Sequence, residues 1–374
     1  PEYKNCVVHF DYSKIRPKGA LISGGFKAPG PDGLKQSLER VEKLMESVVT
    51  PESAKMSPIV AYDILMHCSD AVLSGGVRRS ATIALFSHDD DEMMNAKTGN
   101  WFMDNPQRAR SNNSVVMIKD EISKLNFDEI FTKTKEFGEP GFVFSESSEV
   151  VYNPCVEIGM VPRTEDGRSG WQVCNLTEIN GGQCSDAETF YEACVASAFI
   201  GTLQASYTDF RYLTPESKEI CDREALIGCS ITGFMNNTKI LFDPEILKQG
   251  AELIKQVNKI VSEMIGINQA ARTTCVKPSG NASVLLETTS GIHGEHSKNF
   301  FRIMQINKEE EIAQFLVNKY PDLIEDSVWS STNADYALFV PIKADKKTMF
   351  KEDLLGIKQL EYVKLVQQHW VENG

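Results

Sequence analysis

Short apolar segments typical of β-strands alternate with longer segments of helical periodicity along this chain of 374 residues. Residues 32–49, for example, place Leu34, Leu38 and Val41 on one side of a helix. Helices are predicted over residues 32–49, 58–73, 121–136, 186–205, 215–227 and 245–269. Strands are predicted over residues 6–10, 81–86, 114–118, 142–144, 171–176, 227–232 and 336–342. This alternation predicts an α/β fold with a mainly parallel sheet.

Length and charge limit the domain organisation and the partners. The chain has 41% apolar residues, opens at Pro1 and lacks internal repeats, so we expect one α/β domain over residues 1–374, incomplete at both ends. Its 39 Lys and Arg against 52 Asp and Glu give a net charge of −13, which disfavours nucleic acid and anionic membranes as partners. The sequence contains neither an apolar window of about 18 residues nor a secretory segment. We therefore expect a soluble, cytoplasmic protein.

Nine cysteines are spread along the chain, an odd number without a CxxC pair. This pattern does not fit a disulfide scaffold, and the six histidines form no HExxH motif, so no metal site is predicted. His293 and His296, which have no third ligand nearby in sequence, are interpreted as loop residues. Most thiols are expected to be buried small apolar side chains.

One short segment combines three reactive side chain types. In an extended strand or loop, alternate residues share a face, so Asn153, Cys155 and Glu157 would lie on one face, each about 7 Å from the next. An amide, a thiol and a carboxylate can together bind a hydroxyl, attack carbon and accept a proton. The residues alone leave another interpretation open, in which Cys155 is a buried structural thiol beside a turn-forming Asn-Pro pair.

Two further segments carry candidate chemistry. Cys174 lies in a predicted strand that follows a polar, hairpin-like connection over residues 162–170, and two thiols in one site would indicate redox chemistry rather than packing. Residues 273–285 are rich in small polar side chains and offer backbone N–H groups to an anion, more strongly if a helix begins after them. A packed thiol and a plain turn remain the alternatives.

Nine segments together resemble the catalytic chains of ribonucleotide reductases, in the order in which that family carries them. The resemblance is greatest to the monomeric, adenosylcobalamin-dependent (class II) triphosphate reductases, through VKPSG and the closing QQHWVEN. The segments are DYSKIRPKGALISGGFKAPGP (11–31), GVRRSA (76–81), SNNSV (111–115), GEPG (138–141), NPCVE (153–157), CNL (174–176), IG with TG (227–228 and 232–233), VKPSGNAS (276–283) and QQHWVEN (367–373).

The resemblance implies a ten-stranded α/β barrel that reduces ribonucleotides to 2′-deoxyribonucleotides for DNA synthesis, with the active site within residues 150–300. It implies that Cys155 carries a thiyl radical, that Glu157 accepts the 3′-hydroxyl proton, and that Asn153 binds the substrate hydroxyls. Cys174 would be one of two thiols that reduce the substrate. The implied phosphate loop comprises Ser279, Gly280, Asn281, Ala282 and Ser283.

The family is regulated by deoxynucleoside triphosphates and ATP, and the resemblance places effector loops within residues 11–118. The implied effector residues are Arg16, Lys18, Lys27, Gln107, Arg108, Arg110 and Asn112.

The implied cofactor is adenosylcobalamin, and the implied electron donor is a thioredoxin-like dithiol protein. An alternative is a separate radical-generating subunit with a metallocofactor. The family's other reducing cysteine and its C-terminal cysteine pair have no counterpart in this sequence. A nucleotide-binding relative without catalysis is a further alternative, and the intact Asn153, Cys155, Glu157 and Cys174 disfavour it. A thiol acyltransferase or hydrolase is disfavoured because no His stands in a recognisable Cys–His arrangement.

Overall fold

The structure, a computed structural model, describes residues 7–22, 27–48, 55–71, 80–328, 333, 335–345, 347–372 and 374. The α-helices are α1 (Asp32–Val48), α2 (Pro58–Ala71), α3 (Asp91–Met94), α4 (Trp101–Asp104), α5 (Lys124–Phe137), α6 (Ala187–Ala205), α7 (Pro215–Glu224), α8 (Thr238–Leu241), α9 (Pro244–Ile265), α10 (Gly280–Leu285), α11 (Glu311–Lys319) and α12 (Gly356–Val366). The strands are β1 (Thr82–Phe86), β2 (Ser111–Ile118), β3 (Gly141–Ser145), β4 (Val151–Tyr152), β5 (Gly159–Met160), β6 (Asn175–Asn180), β7 (Ile227–Thr232), β8 (Asn299–Asn307), β9 (Ile324–Asp326) and β10 (Asp335–Lys343).

The α/β prediction is confirmed, and three of the five strand pairs whose direction is defined are parallel. The strands pair as β1-β2-β3, β8-β10-β9, β4-β5 and β6-β7. The first and last of these sheets are parallel, whereas β4-β5 and β9-β10 are antiparallel. Closure of a ten-stranded barrel is not seen among the described strands.

The chain divides into two compact units, one formed by residues 1–148 and 302–340 and the other by residues 149–301 and 341–374. The sequence-based prediction of a single catalytic domain stays a prediction. Residues 76–79 of the GVRRSA segment, and Cys6 of the predicted first strand, lie outside the described residues. Among the described residues, no helix is long and apolar enough to cross a bilayer.

The first unit is built on the parallel sheet β1-β2-β3. Val115 and Met117 of β2 are fully buried and pack with Met66 of α2 and Ile130 of α5 in one apolar cluster. Helix α5 begins at a capping box in which Ser123 and Asn126 bond reciprocally to backbone N–H groups. It ends at residue 138, a glycine in the left-handed conformation.

The second unit is built on the parallel pair β6-β7, which residues 273–275 extend. Cys229 of β7 forms a parallel bridge with Thr274, and its N–H donates to the carbonyl of Thr273 at 2.9 Å. Helix α6 packs on one face of this sheet and α9 packs on α6, and Phe190 and Ile254 are fully buried in the shared apolar cluster. The other face of the sheet carries the candidate active site.

Three local predictions are wrong. Residues 7–10, predicted as a strand, have no regular structure. The predicted strand over 171–176 begins only at residue 175. Residues 104–113, predicted as a polar loop, form a 3₁₀ helix at Pro106–Arg110 followed directly by β2. A strand forms only where a segment pairs with distant residues, and a local pattern does not contain that information.

Candidate active site

The segment with the three reactive side chains is a β-hairpin turn, not an extended strand. β4 and β5 pair antiparallel, and Asn153 closes the turn between them. Its Oδ1 accepts the N–H of Ile158 at 3.0 Å, and its carbonyl accepts the N–H of Val156 at 2.9 Å. Val156 has a φ of 65°, which is in the left-handed region. The alternation that would place Asn153, Cys155 and Glu157 on one face is therefore wrong, because the chain reverses direction between them.

The thiol and the carboxylate of this turn differ in their exposure to solvent. Cys155 is exposed near its tip, so the alternative of a buried structural thiol is wrong. Glu157 is half-buried, and its Oε2 is buried without a hydrogen-bond partner among the described residues. A buried carboxylate oxygen without a donor costs stability, so it is expected to accept a hydrogen bond from a ligand.

Cys174 lies just before β6, close to a second thiol that the sequence reasoning did not single out. A β-carbon added to Gly228 of β7 would lie 3.1 Å from Cys174 Sγ and 3.1 Å from Cys275 Sγ. The two sulfur atoms are therefore no farther apart than twice that distance. Gly228 makes this approach possible because it places no side chain between them.

The thiols of Cys174 and Cys275 beside Gly228 are held in their protonated form. Burial raises the pKa of Cys174 to about 12, with Cys229 and Glu157 as further causes. Burial also raises the pKa of Cys275 well above its usual value, and the next largest causes are Cys174 and Glu157. Glu157 thus lies within electrostatic range of both thiols.

An ion pair lies farther along the same face of the sheet. Lys277 Nζ is 3.9 Å from Glu178 Oε2, and the side chain of Glu178 is only 10% exposed. Neither carboxylate oxygen of Glu178 has a hydrogen-bond partner among the described residues. The backbone N–H of Lys277 donates to Ser230 Oγ of β7 at 2.9 Å, which fixes the chain beyond Cys275.

A cavity of about 300 Å³ opens beside these groups. Glu157 and Lys277 contribute its charged lining, and His293 and Gln359 contribute further polar groups. Apolar side chains from α12 and the following turn, among them Val363 and Val366, complete the wall. A small, mostly apolar cleft with a few convergent polar groups is typical of ligand sites.

The predicted phosphate loop is mostly helical, because α10 begins at Gly280, within the segment rather than after it. Ser279 has a φ of 58° and is fully buried, and its Oγ has no hydrogen-bond partner among the described residues. Ser283 Oγ donates to the carbonyl of Gly280 at 3.1 Å. Asn281 is exposed and Ala282 is half-buried. The role of this loop in binding phosphate stays a prediction.

The predicted effector residues lie in the first unit. Arg16 and Lys18 are exposed in an irregular segment, whereas Lys27 Nζ donates to the carbonyl of Glu309 at 2.8 Å. Asn112 is exposed on β2. Their effector role stays a prediction.

The other three predicted effector residues are held by α2. Gln107 is buried and donates to Asp63 Oδ1 at 3.1 Å, and Arg108 pairs with the same carboxylate at 2.6 Å. Arg110 pairs with Asp70 at 2.7 Å. These contacts explain why residues 106–110 are ordered rather than a loop.

Metal binding has no support from the side chains seen here. Among the described residues, no group of three or more His, Cys, Asp or Glu side chains could hold a metal ion. Lys351 Nζ lies 3.0 Å from His296 Nδ1, which places that histidine in a polar surface contact.

Comparison with known proteins identifies relatives of this chain. It is 25% identical over 97% of its length to a probable adenosylcobalamin-dependent ribonucleoside-triphosphate reductase of Dictyostelium discoideum. It is 25% identical over 98% of its length to an adenosylcobalamin-dependent ribonucleoside-triphosphate reductase of Euglena gracilis, and 28% identical over 78% of its length to the enzyme of that name from Lactobacillus leichmannii. The resemblance to ribonucleotide reductases is confirmed. No protein-family model matches the chain.

The fold agrees with this relationship. A crystal structure of a B12-dependent (class II) ribonucleotide reductase superimposes with a TM-score of 0.74 at 21% sequence identity, covering 97% of this chain and 54% of that one. The chain spans about half the length of the curated relatives it matches, with 48% of the Dictyostelium protein and 50% of the Euglena protein covered. The fold is thus that of part of a class II reductase.

Sequence reasoning missed Cys275 and Glu178 as members of this site. The sequence marks Lys277 only as part of the VKPSG segment and not as a site residue. One signal was available, since Cys275 and Lys277 alternate along an extended segment and so share a face. Glu178 also follows Cys174 at even spacing. Local spacing does not show that the segments carrying Cys174 and Cys275 flank the same strand, and this parallel pairing is what brings the two faces together.

Proposed function

We propose that this chain carries catalytic residues of an adenosylcobalamin-dependent ribonucleotide reductase, which converts ribonucleotides to 2′-deoxyribonucleotides. The observation that carries the proposal is the approach of the Cys174 and Cys275 sulfur atoms to each other beside Gly228, with Glu157 within electrostatic range of both and exposed Cys155 in the turn that precedes Glu157. A base, a reducing thiol and a reactive thiol are the groups that this reaction requires. The named relatives, which match over nearly the whole chain, support the same reaction.

Asn153 and Glu157 have distinct tasks in this proposal. The side-chain oxygen of Asn153 holds the turn by accepting the N–H of Ile158, which leaves its amide nitrogen to donate to a substrate hydroxyl. The buried Oε2 of Glu157 accepts the 3′-hydroxyl proton, because no described residue donates to it. This hydrogen bond also satisfies the carboxylate when substrate is bound.

Cys155 carries out the radical step, and Cys174 takes part in the two-electron reduction. As a thiyl radical, Cys155 removes the 3′-hydrogen of the ribose and returns it at the end. Cys174 and a second thiol supply two electrons and two protons, the 2′-hydroxyl leaves as water, and the two thiols become a disulfide. The raised pKa of Cys174 keeps its proton on the sulfur until the substrate needs it.

Adenosylcobalamin would supply the radical that takes the hydrogen atom from Cys155. The cavity of about 300 Å³ is small for a corrin ring, whereas Cys155, which the cofactor would have to reach, is exposed. Deoxynucleoside triphosphates or ATP as effectors, and a thioredoxin-like dithiol as final reductant, complete the proposal.

Deoxynucleotide formation tests this function directly. The chain is supplied with adenosylcobalamin, a small dithiol and each ribonucleoside triphosphate, and product is measured by chromatography. We expect Cys155→Ser to abolish product, since a hydroxyl is much harder to oxidise than a thiol of similar size. Cys68→Ser, which changes another exposed thiol, should leave product formation unchanged. Equal product from wild type and Cys155→Ser would refute the assignment.

A further inference from the structure

The helix that walls the cavity ends in a π-helical turn. Helix α12 continues directly into this turn, which spans Gln367–Val371. The N–H of Glu372 donates to the carbonyl of Gln367 at 2.9 Å, which is the i to i+5 bond of a π-helix. Such a bond widens the helix locally, and single π turns within helices occur frequently at functional sites. This one lies against the cavity that Glu157 lines.

The wide turn keeps one row of side chains on the cavity. In a regular α-helix, positions four residues apart drift around the axis by about 40° at each step, so a row at this spacing soon turns away from a flat wall. Four side chains at this spacing nevertheless line the cavity, namely Gln359, Val363, Gln367 and Val371. The π turn compensates the drift, and Trp370 is fully buried instead. The row therefore presents two amides and two valines to the cavity.

The two amides of this row differ in their partners. Gln359 Nε2 donates to the carbonyl of Ile292, which ties the start of the row to another part of the cavity wall. Gln367 is exposed, and its side chain forms no hydrogen bond with another described residue. A side-chain amide can donate and accept at once, and so can a hydroxyl group. Gln367 therefore offers the cavity a group that matches a ligand hydroxyl.

The contacts of the row indicate which end of the cavity Gln367 occupies. Trp370, three residues after Gln367, donates from Nε1 to the carbonyl of Cys275 at 3.0 Å. Gln359 lies eight residues before Gln367, about 12 Å back along the helix. The Cys275 thiol is within electrostatic range of Glu157. Gln367 thus belongs to the end of the cavity where Glu157 is proposed to accept the 3′-hydroxyl proton.

The hydroxyl groups of a ribose connect these two residues. The 2′- and 3′-hydroxyl groups stand on neighbouring carbons and on the same face of the ring, so a ribose whose 3′-hydroxyl meets Glu157 brings its 2′-hydroxyl to this end of the cavity. We propose that the side-chain amide of Gln367 binds the 2′-hydroxyl of the ribonucleotide and so distinguishes the substrate from the deoxy product. The proposal rests on the proposed function, because it names a contact for the same substrate. A site that bonds a hydroxyl rejects the analogue without it, since the site's polar group then loses its partner.

Equilibrium binding of CDP, 2′-deoxy-CDP and 3′-deoxy-CDP to the full chain, without cofactor, tests this contact. Diphosphates are used because the proposed effectors are triphosphates. Wild type should bind CDP roughly threefold to tenfold more tightly than 2′-deoxy-CDP, the range for one neutral hydrogen bond. Gln367→Met, which keeps an unbranched side chain without the amide, should bind these two ligands equally. The ratio of CDP to 3′-deoxy-CDP affinity should stay as in wild type, since Glu157 is unchanged.

The matched control is Gln368→Met, which makes the same change at the next residue of the π turn. Gln368 is exposed and does not line the cavity. Its variant should bind all three ligands as wild type does. Thermal unfolding of both variants shows whether the turn tolerates the change.

Three results would overturn the contact. The first needs no variant and is a wild type that binds CDP no more tightly than 2′-deoxy-CDP. The second is an unchanged ratio of the two affinities in Gln367→Met, and the third is an equal loss of both, which would make Gln367 a packing residue. Each leaves the proposed function intact if wild type forms deoxynucleotides. A 2′-hydroxyl preference that depends on Gln367, in a chain that forms no deoxynucleotide, would uphold the contact and count against the proposed function.

Discussion

Replacing Arg108 with alanine should destabilise the first unit far more than the same change at Arg110. The Arg108 guanidinium donates to Asp63 Oδ1 at 2.8 Å and to Oδ2 at 2.6 Å, and a third N–H donates to the carbonyl of Ala96 at 2.8 Å. The side chains of Arg108 and Asp63 are only 13% and 10% exposed. Arg108→Ala therefore leaves a buried carboxylate with Gln107 as its remaining donor in this contact.

The size of the effect follows from this burial. Removing one partner of a buried, well-formed ion pair costs about 3–5 kcal/mol in the free energy of unfolding. For a unit of this size, about 1 kcal/mol corresponds to a fall of roughly 2–4 °C in Tm. At the lower end of that cost, Arg108→Ala should lower the Tm of the first unit by about 6–12 °C.

Arg110 is the matched control, because it lies in the same 3₁₀ helix and also pairs with α2. Its partner is Asp70 at 2.7 Å, but the two side chains are 31% and 19% exposed, and Arg40 lies 3.6 Å from the same carboxylate. Partly exposed pairs are worth about 1 kcal/mol or less. Arg110→Ala should therefore lower Tm by no more than about 4 °C.

Thermal unfolding followed by circular dichroism compares the two variants under one condition. The resemblance to reductases implies instead that both arginines relay effector identity. In that case each alanine change alters the ratio of deoxynucleotide products across four substrates. Equal, small changes in Tm for both variants, accompanied by altered product ratios, would refute the structural argument for Arg108.

Two further expectations concern the second unit. Gly228→Ala places a β-carbon 2.6 Å from Leu176 Cδ2, so we expect the free energy of unfolding, measured in urea, to fall by about 1–3 kcal/mol. The control is Gly356→Ala, whose β-carbon meets no atom within 4 Å, and this change should be neutral or stabilising. Equal stability of the two variants would contradict the close approach at β7. Because the thiolate is the reactive form and the pKa of Cys174 is about 12, iodoacetamide at pH 8 should alkylate exposed Cys155 well before Cys174. Raising the pH toward that pKa should accelerate labelling of Cys174, and equal rates at pH 8, read by peptide mass spectrometry, would contradict its burial.

The local sequence pattern determined whether a segment forms a helix or a strand where the apolar spacing is regular and the residues that begin and end the element are close by in sequence. Helix α9 spans Pro244–Ile265, close to the predicted range 245–269, because its apolar spacing, the capping Asp243 and the left-handed Gly266 all lie within or directly beside the helix. Strand β7 was likewise predicted over the residues it occupies. The ordered motifs also determined the relationship to ribonucleotide reductases, since their order along the chain does not require knowledge of the fold.

The tertiary structure alone decided which side chains meet. Asn153 accepts the N–H of Ile158, so the segment that carries Cys155 and Glu157 is a turn rather than the extended strand that the spacing predicted. Glu178 and Lys277 lie 99 positions apart in sequence and meet at 3.9 Å because residues 175–180 and 273–275 flank β7 on either side. Parallel pairing is non-local, and its register depends on burial of whole strands rather than on any short pattern. For the same reason the sequence could name Cys174 as a candidate but could not reveal that Cys275 lies beside it.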